Sequence, residues 1–229
     1  MAMPSEENIQ ILRDNLAQRN HPAHHICKPT TRLVVEGYPR SSNSFAAEMI
    51  AVSANGILQR AEIAHHTHEV ANLQIAEHLG IPKIILIREP ENAILSFHIY
   101  SEAPIERCAE EYVAFYSGAL KLMDKTAVVH FREVTDDFRT VIERINAIGG
   151  FGIPEDQDFA AIREQALALV RSLAPKNNAE DAMRQVAAPD EKREQIKQQL
   201  RGEVQAYLAA HPEVQQVYER LMARAGLTL

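Results

Sequence analysis

The chain has 229 residues, 46% of them hydrophobic, and a formal net charge of −7, enough for one large domain or a domain with a helical appendage. The acidic balance argues against nucleic-acid binding driven by phosphate neutralisation, so any anion site has to be built locally from backbone dipoles and a few arginines. No stretch approaches the roughly 18 consecutive apolar residues of a membrane span.

The acidic start, Met-Ala-Met-Pro-Ser-Glu-Glu, lacks the basic and apolar parts of a signal peptide. Cys27 and Cys108 are isolated from one another, which suggests a reducing compartment without a disulfide framework. The expected setting is the cytoplasm.

Ile9, Leu12 and Leu16 fit one short helix, followed by a His-Pro-rich stretch without periodicity. Residues 31–36 read as a first strand. From Phe45 the positions Met49, Val52, Gly56 and Ile57 recur at helical spacing, predicting a helix to about Arg60 with Ser44 as N-cap or first-turn hydroxyl. Residues 61–68 read as a short strand ending at His65, His66 and His68. Residues 70–79 read as a helix stopped by Gly80, with Pro82 beyond it.

Residues 83–87, Lys-Ile-Ile-Leu-Ile, form a continuous apolar run of the kind buried on both faces of a parallel sheet. Pro90 opens the next helix, and Tyr112, Phe115, Tyr116, Ala119 and Leu120 mark another. Residues 127–131 are the last expected strand. Phe138 to Ile148 then read as a helix ended by Gly149 and Gly150. Beyond Pro154 only helical stripes remain: Ala166, Leu169, Val170 and Leu173; Ile196, Leu200, Val204, Tyr207 and Leu208; and Val214, Val217, Tyr218, Leu221 and Met222, the last two separated at His211-Pro212. These stripes are packing surfaces, on the sheet or against another subunit.

Strands alternating with helices over 31–150 imply right-handed β-α-β units and a parallel sheet, an α/β fold. Ligands bind at the carboxyl ends of such strands. The loop 37–44, the histidines at 65–68 and Arg88 all fall there.

The loop follows a strand and opens a helix, which aims backbone N–H groups at an anion. On the pattern G-x-x-x-x-G-K-[ST], Gly37 and Ser44 match the first glycine and the final hydroxyl, while Ser42 and Asn43 replace the second glycine and the lysine. The loop is either an anion cradle without the nucleotide-reaching lysine or an ordinary turn rich in small residues. Arg40 favours the cradle, since its guanidinium can fork onto an oxyanion. Arg88 is either part of the same site or the ion-pair partner of Glu89 or Glu91.

The three histidines raise a metal reading. Strand alternation would put only His66 and His68 on one face, fewer than the usual three or four ligands, so no metal is expected. One histidine serving as a general base at the strand end suits the imidazole pKa better. The histidines at 21–25 have no constellation around them.

Three segments together resemble the sulfotransferases that use 3′-phosphoadenosine 5′-phosphosulfate (PAPS). Gly37-Tyr-Pro-Arg-Ser-Ser-Asn-Ser-Phe45 is similar to that family's 5′-phosphosulfate loop, Tyr-Pro-Lys-Ser-Gly-Thr-Thr-Trp. Residues 84–97, with Ser96 eight residues after Arg88, resemble its 3′-phosphate segment. Residues 129–134 resemble its Tyr-Glu-Asp-Leu strand. The resemblance covers about residues 31–153.

It implies a three-layer parallel sheet of the P-loop nucleotide-kinase and sulfotransferase type with an α-helical C-terminal extension. The expected division is an N-terminal helical or irregular segment over 1–30, a core over 31–153, and a helical region over 154–229 packed on the core. The resemblance further implies that PAPS is the donor and 3′-phosphoadenosine 5′-phosphate (PAP) the product, with no metal. Arg40 would stabilise the bridging oxygen, and His68, in His-Thr-His, would be the base. Ser41, Ser42, Asn43 and Ser44 would hold the 5′-phosphosulfate, Arg88 and Ser96 the 3′-phosphate. Phe45 falls on the adenine-stacking aromatic and Phe131 on the tyrosine of the third motif. His66 stands where the family often has lysine. The family's late Arg-Lys-Gly segment is not evident; Lys192 and Arg193, or Arg184, are candidates to replace it.

The expected function is transfer of a sulfuryl group to the hydroxyl or amine of a small-molecule acceptor, with residues around 98–120 and the N-terminal segment shaping its pocket. A P-loop nucleoside or small-molecule kinase and a non-catalytic nucleotide-binding protein are the alternatives. No nucleic-acid partner is expected, and the helices at 190–229 are candidate surfaces for a homo-oligomer.

Overall fold

The computed structural model describes residues 6–172 and 191–227. After helix α1 (Glu6–Gln18), the chain enters a four-stranded, all-parallel sheet of β1 (Leu33–Gly37), β2 (Ile63–His65), β3 (Lys83–Ile87) and β4 (Thr126–His130), in the order β2-β1-β3-β4. The connecting helices are α2 (Asn43–Ala54), α3 (Val70–Leu79), α4 (Pro90–Ser101) and α5 (Ile105–Ala119). After β4 come α6 (Phe131–Asp136), α7 (Phe138–Gly149), α8 (Phe159–Ser172), α9 (Glu191–Ala210) and α10 (Pro212–Arg224).

Strand alternation divides the core into two layers. Val34, Ala64, Ile85, Ile87 and Val128 face a layer built from α1, α3, α4, α5, α9 and α10. Leu33, Val35, Ile63, Ile84, Leu86 and Val129 face α2, α7 and α8. The helices after residue 154 thus end on both faces: α8 packs on α2, α9 on α4 and α10 on α5. Val204, Val214, Val217, Tyr218, Leu221 and Met222 are buried within the chain.

Several expected boundaries move, each for a local reason. The helix after the loop stops at Ala54 because Asn55 adopts a left-handed cap, leaving Ile57 exposed and residues 60–62 in a single 3-10 turn. The second strand ends at His65, since His66 and His68 both have positive φ, 65° and 57°. Alternation therefore says nothing about which way these two histidines face. Phe131 begins α6 rather than ending β4, and Leu169 is exposed rather than part of the α8 stripe. Leu173 lies outside the described residues.

At the amino end of β3, Lys83 is fully buried and its ammonium is held by Glu77 and by the Asp124 carbonyl. Cys27 and Cys108 are buried, unpaired thiols, and burial pushes their pKa values up to about 12 and about 11.

At the carboxyl end of β1 the strands come very close. A side chain on Gly37 would stand 2.6 Å from the Leu86 carbonyl oxygen and 2.9 Å from Leu86 Cβ, so this position admits no Cβ without moving β3. Gly37→Ala is expected to destabilise the chain by about 1–3 kcal/mol, the usual cost of overpacking. In α9, Gly202 has open space around its Cβ position, and Gly202→Ala should stabilise by up to about 1 kcal/mol through helix propensity. Thermal unfolding should separate the two variants in opposite directions, at about 2–4 °C per kcal/mol for a chain of this size; equal melting temperatures would refute the packing argument.

Candidate functional site

The loop leaving β1 is braced from within. Ser41 N–H closes a turn on the Tyr38 carbonyl at 3.2 Å, and Asn43 Nδ2 donates to the same oxygen at 3.2 Å. Tyr116 Oη donates to the Leu86 carbonyl at 2.8 Å, accepts from Tyr38 N–H at 3.4 Å and lies 3.4 Å from Ser41 Oγ. Tyr38 Oη donates to the Cys108 carbonyl at 2.8 Å.

The side chains of Ser41 and Asn43 are buried in this bracing. What the loop offers outward is therefore mainly the backbone at the start of α2, where the first N–H groups have no intrahelical acceptor. Arg40 and Ser42 both occupy left-handed conformations, φ 66° and 71°. Ser42, not Ser44, is the N-cap. Ser44 sits in the first turn, with its hydroxyl 3.0 Å from His66 Nδ1.

One side of the loop opens on a cleft of about 270 Å³. Arg40, Arg88, Arg163, Arg193 and Lys197 line it, with Glu194 as the carboxylate among them. Ser42, Phe45, Ser96, Phe131, Thr135 and Leu167 complete the wall. Arg40 Nε donates to Ser96 Oγ at 3.4 Å, and its guanidinium lies 5.3 Å from the Tyr100 ring centre. Arg88 Nη1 donates to the Arg40 carbonyl at 2.9 Å, and its guanidinium stacks 4.1 Å from the Phe131 centroid.

Arg88 is not occupied by the neighbouring carboxylates: Glu89 pairs with Arg132 at 3.3 Å, and Glu91 pairs with Arg201. Among the described residues its buried Nε has no hydrogen-bond partner. Burial above all, with repulsion from Arg193, pulls both Arg40 and Arg88 down to about 10; Glu89 and Glu194 partly offset it at Arg88. Burial and like charge of this kind favour a nearby anion.

On the other side of the loop lies a cleft of about 480 Å³, bordered by Tyr38, Pro39, Thr67, His68, Val70 and Phe115. Arg19 paired with Glu69, and Arg107 paired with Glu111 at 2.9 Å, form its rim. His68 Nδ1 is 2.7 Å from the Gly37 carbonyl. A carbonyl only accepts, so Nδ1 carries the hydrogen and Nε2 keeps its lone pair. Burial pulls His68 down to about 4, the Gly37 bond opposing it, so the ring is neutral near pH 7.

The histidines at 21–25 are not all isolated, contrary to expectation. The His25 ring packs 4.5 Å from His65 and 5.8 Å from His66, and His66 lies 4.6 Å from His68. Arg60, paired with Glu48 at 2.7 Å, also contacts His65 Nε2. Among the described residues, no group of three or more His, Cys, Asp or Glu side chains is arranged to hold a metal.

Arg40, Ser42, Phe45, Arg88, Ser96 and Phe131 thus meet in one cleft, while His68 stands across the loop from it. Of the late candidates, Arg193 enters the cleft, Lys192 is exposed, and Arg184 lies outside the described residues. The sequence reading missed Arg163 and Lys197, which sit on helices with no motif, and Glu36. A lone carboxylate within the apolar run at 33–37 was the available signal for the last.

No family model matches the chain, and no curated protein does. Among solved structures, mouse sulfotransferase SULT7A1 complexed with PAP is similar over 95% of this chain and 94% of its own, with a TM-score of 0.51 and 15% identity. The fold is that of a sulfotransferase. The likeness extends through the C-terminal helices, beyond the segments whose motifs resemble the family. The sulfotransferase fold here carries the loop and the arginine-serine helix side by side, as β1 and β3 are neighbours in the sheet.

The left-handed backbone at Ser42 is one that glycine adopts more easily. Left-handed residues with a Cβ cost roughly 1–2 kcal/mol, so Ser42→Gly should stabilise by about 1 kcal/mol, raising Tm by a few degrees. A lower Tm would mean that the serine side chain compensates.

A pH effect also follows. Burial first holds His25 and His66 at about 3, His68 at about 4, and His65 below its usual range. The unfolded chain takes up these protons near pH 6.5 and the folded chain only far lower, so their contribution is present above 6.5 and lost as pH falls toward 3–4. Glu36, raised to about 7 by burial, works oppositely between about 7 and 4.5, but it is one group against four. Urea titrations should show stability falling from pH 6.5 to 4.5; a rise would contradict the burial of the imidazoles.

Proposed function

We propose that this chain is a sulfotransferase that moves a sulfuryl group from PAPS to the hydroxyl or amine of a small acceptor. The observation that carries this reading is the loop with an arginine-lined cleft on one side and a neutral histidine, its Nε2 lone pair available, on the other. One cleft suits a polyanionic donor and the other a neutral nucleophile, with the loop between them at the point of transfer.

The residues fit the donor by their chemistry. Arg88, with an orphaned buried Nε, and Ser96 would hold the 3′-phosphate, with Arg193 in the role of the missing late segment. The N–H groups at the start of α2, the Ser44 hydroxyl and Arg40 would hold the 5′ end, and Phe45 and Phe131 would flank the base. When bound, the donor supplies an activated sulfuryl group.

Arg40 would neutralise charge gathering on the leaving phosphate oxygen. His68 Nε2 would accept the acceptor's proton, its ring held in one tautomer by the Gly37 carbonyl. In-line displacement of this kind depends chiefly on positioning and charge stabilisation, as in phosphoryl transfer. The acceptor would enter beside Tyr38 and Phe115, between α5 and the end of α1, in line with the segments expected to shape its pocket.

Asn43 disfavours the kinase alternative. Its amide is turned inward onto the Tyr38 carbonyl, so nothing at this position reaches an outer phosphate.

Isothermal titration with PAP is the first test, and Arg88→Ala should weaken binding by about 10- to 100-fold, as loss of a charged hydrogen bond would. Arg193→Ala should weaken it about tenfold. With labelled PAPS and a panel of small acceptors, His68→Ala should lower the transfer rate about 10²–10⁴-fold while leaving PAP affinity within about twofold. No PAP binding, or equal binding by Arg88→Ala, would overturn the reading; magnesium-dependent ATP turnover would revive the kinase.

A further inference from the structure

Glu36 has no exposed surface, and its carboxylate is committed to one short segment. Oε1 accepts from Thr67 N–H at 3.0 Å, Thr67 Oγ1 at 2.8 Å and Asn72 Nδ2 at 2.8 Å. Oε2 accepts from His68 N–H at 2.9 Å. Three of these four donors belong to Thr67 and His68. The residues on either side of Thr67, His66 and His68, have positive φ, a path that L-residues hold only when the surroundings over-determine it.

Asn72 extends the arrangement. It donates to the His25 carbonyl at 3.0 Å and accepts from Cys27 N–H at 2.7 Å, tying the segment to the chain before β1. The next residue after Glu36 supplies the carbonyl that binds His68 Nδ1. Two consecutive residues of β1 therefore grip His68 at both its backbone and its ring.

We propose that Glu36 is the positioning residue of the base: its buried carboxylate holds segment 66–68 in its left-handed path and so aims His68 Nε2 into the cleft beside Tyr38. This inference rests on the sulfotransferase reading for the role of His68. It goes beyond that reading in giving the strand carboxylate a part in the reaction without contact with either substrate. The four donors favour the ionised form, against the burial that raises Glu36 to about 7. A glutamine would present its own N–H₂ to one or more of them and leave that donor unsatisfied.

The test is a double-mutant cycle on sulfuryl transfer. Glu36→Gln should lower kcat by about 100-fold, the scale expected for a reacting group displaced by about an ångström, with PAP affinity and the PAPS KM within about twofold. In the His68→Ala background, Glu36→Gln should have no further effect, because the group it positions is gone. Equal losses in both backgrounds, or a loss of PAP affinity matching the loss of kcat, would reduce Glu36 to a general structural role and overturn the proposal.

A second readout does not depend on activity. In histidine-labelled protein, NMR should find His68 as the Nδ1–H tautomer with its depressed pKa. Glu36→Gln should shift that pKa toward the ordinary value of about 6.5; an unmoved His68 titration would overturn the proposal. A wild-type protein that transfers no sulfuryl group to any acceptor would defeat the functional reading, and the His68 titration would still decide the Glu36 link. If Glu36→Gln does not fold, Thr67→Val removes the hydroxyl donor, together with the 3.3 Å acceptor of Glu69 N–H, and should shift kcat and the His68 titration in the same direction by a smaller factor; no shift in either would overturn the proposal.

Discussion

The site is registered from one close contact, that of Gly37 against Leu86 at the carboxyl end of the two central strands. Because Gly37 has no side chain, β1 and β3 approach until the Leu86 carbonyl and the Tyr38 N–H are both in reach of Tyr116 Oη. The loop is thereby set directly beside the strand that delivers Arg88, and Arg88 bonds the loop at the Arg40 carbonyl. The Gly37 carbonyl, turned to the other neighbour, takes His68. Both sides of the loop are thus indexed to a single backbone position.

Charge supplies the second constraint. The chain is acidic overall, yet among the described residues Arg40, Arg88, Arg163, Arg193 and Lys197 converge on one cleft beside Glu194. Burial and mutual repulsion lower Arg40 and Arg88 to about 10, so a charged guanidinium is costly there and a bound anion would favour it. The imidazoles across the loop answer the same pressures by staying neutral. Their neutrality keeps a proton acceptor beside a cationic cleft.

The strands and the loop were legible in the sequence because the signals are local. The apolar run at 83–87, the Gly80 and Pro82 stop and the small residues at 37–44 each fix structure within a few residues. The loop and Arg88 could be joined because parallel topology brings strand ends together, and Ser96 through the resemblance to the sulfotransferase 3′-phosphate segment. What escaped depends on distant packing or on backbone torsions. Arg163 and Lys197 reach the cleft from α8 and α9, whose docking on α2 and α4 no short motif announces. The positive φ at His66 and His68 is unusual for any non-glycine residue, and it defeated an alternation argument that is sound for a regular strand. The packing of the His25 ring against His65 joins residues forty positions apart.

The two buried thiols stand beside the supports of the site. Cys27 shares Asn72 with the Glu36 carboxylate, and the Cys108 carbonyl receives Tyr38 Oη from the loop. Neither sulfur is exposed, and both are strongly disfavoured as thiolates, so alkylating reagents reach them only through excursions of the native state. Thiol modification therefore reports native-state openings next to these supports, Cys27 beside Asn72 and Cys108 beside the Tyr38 bond.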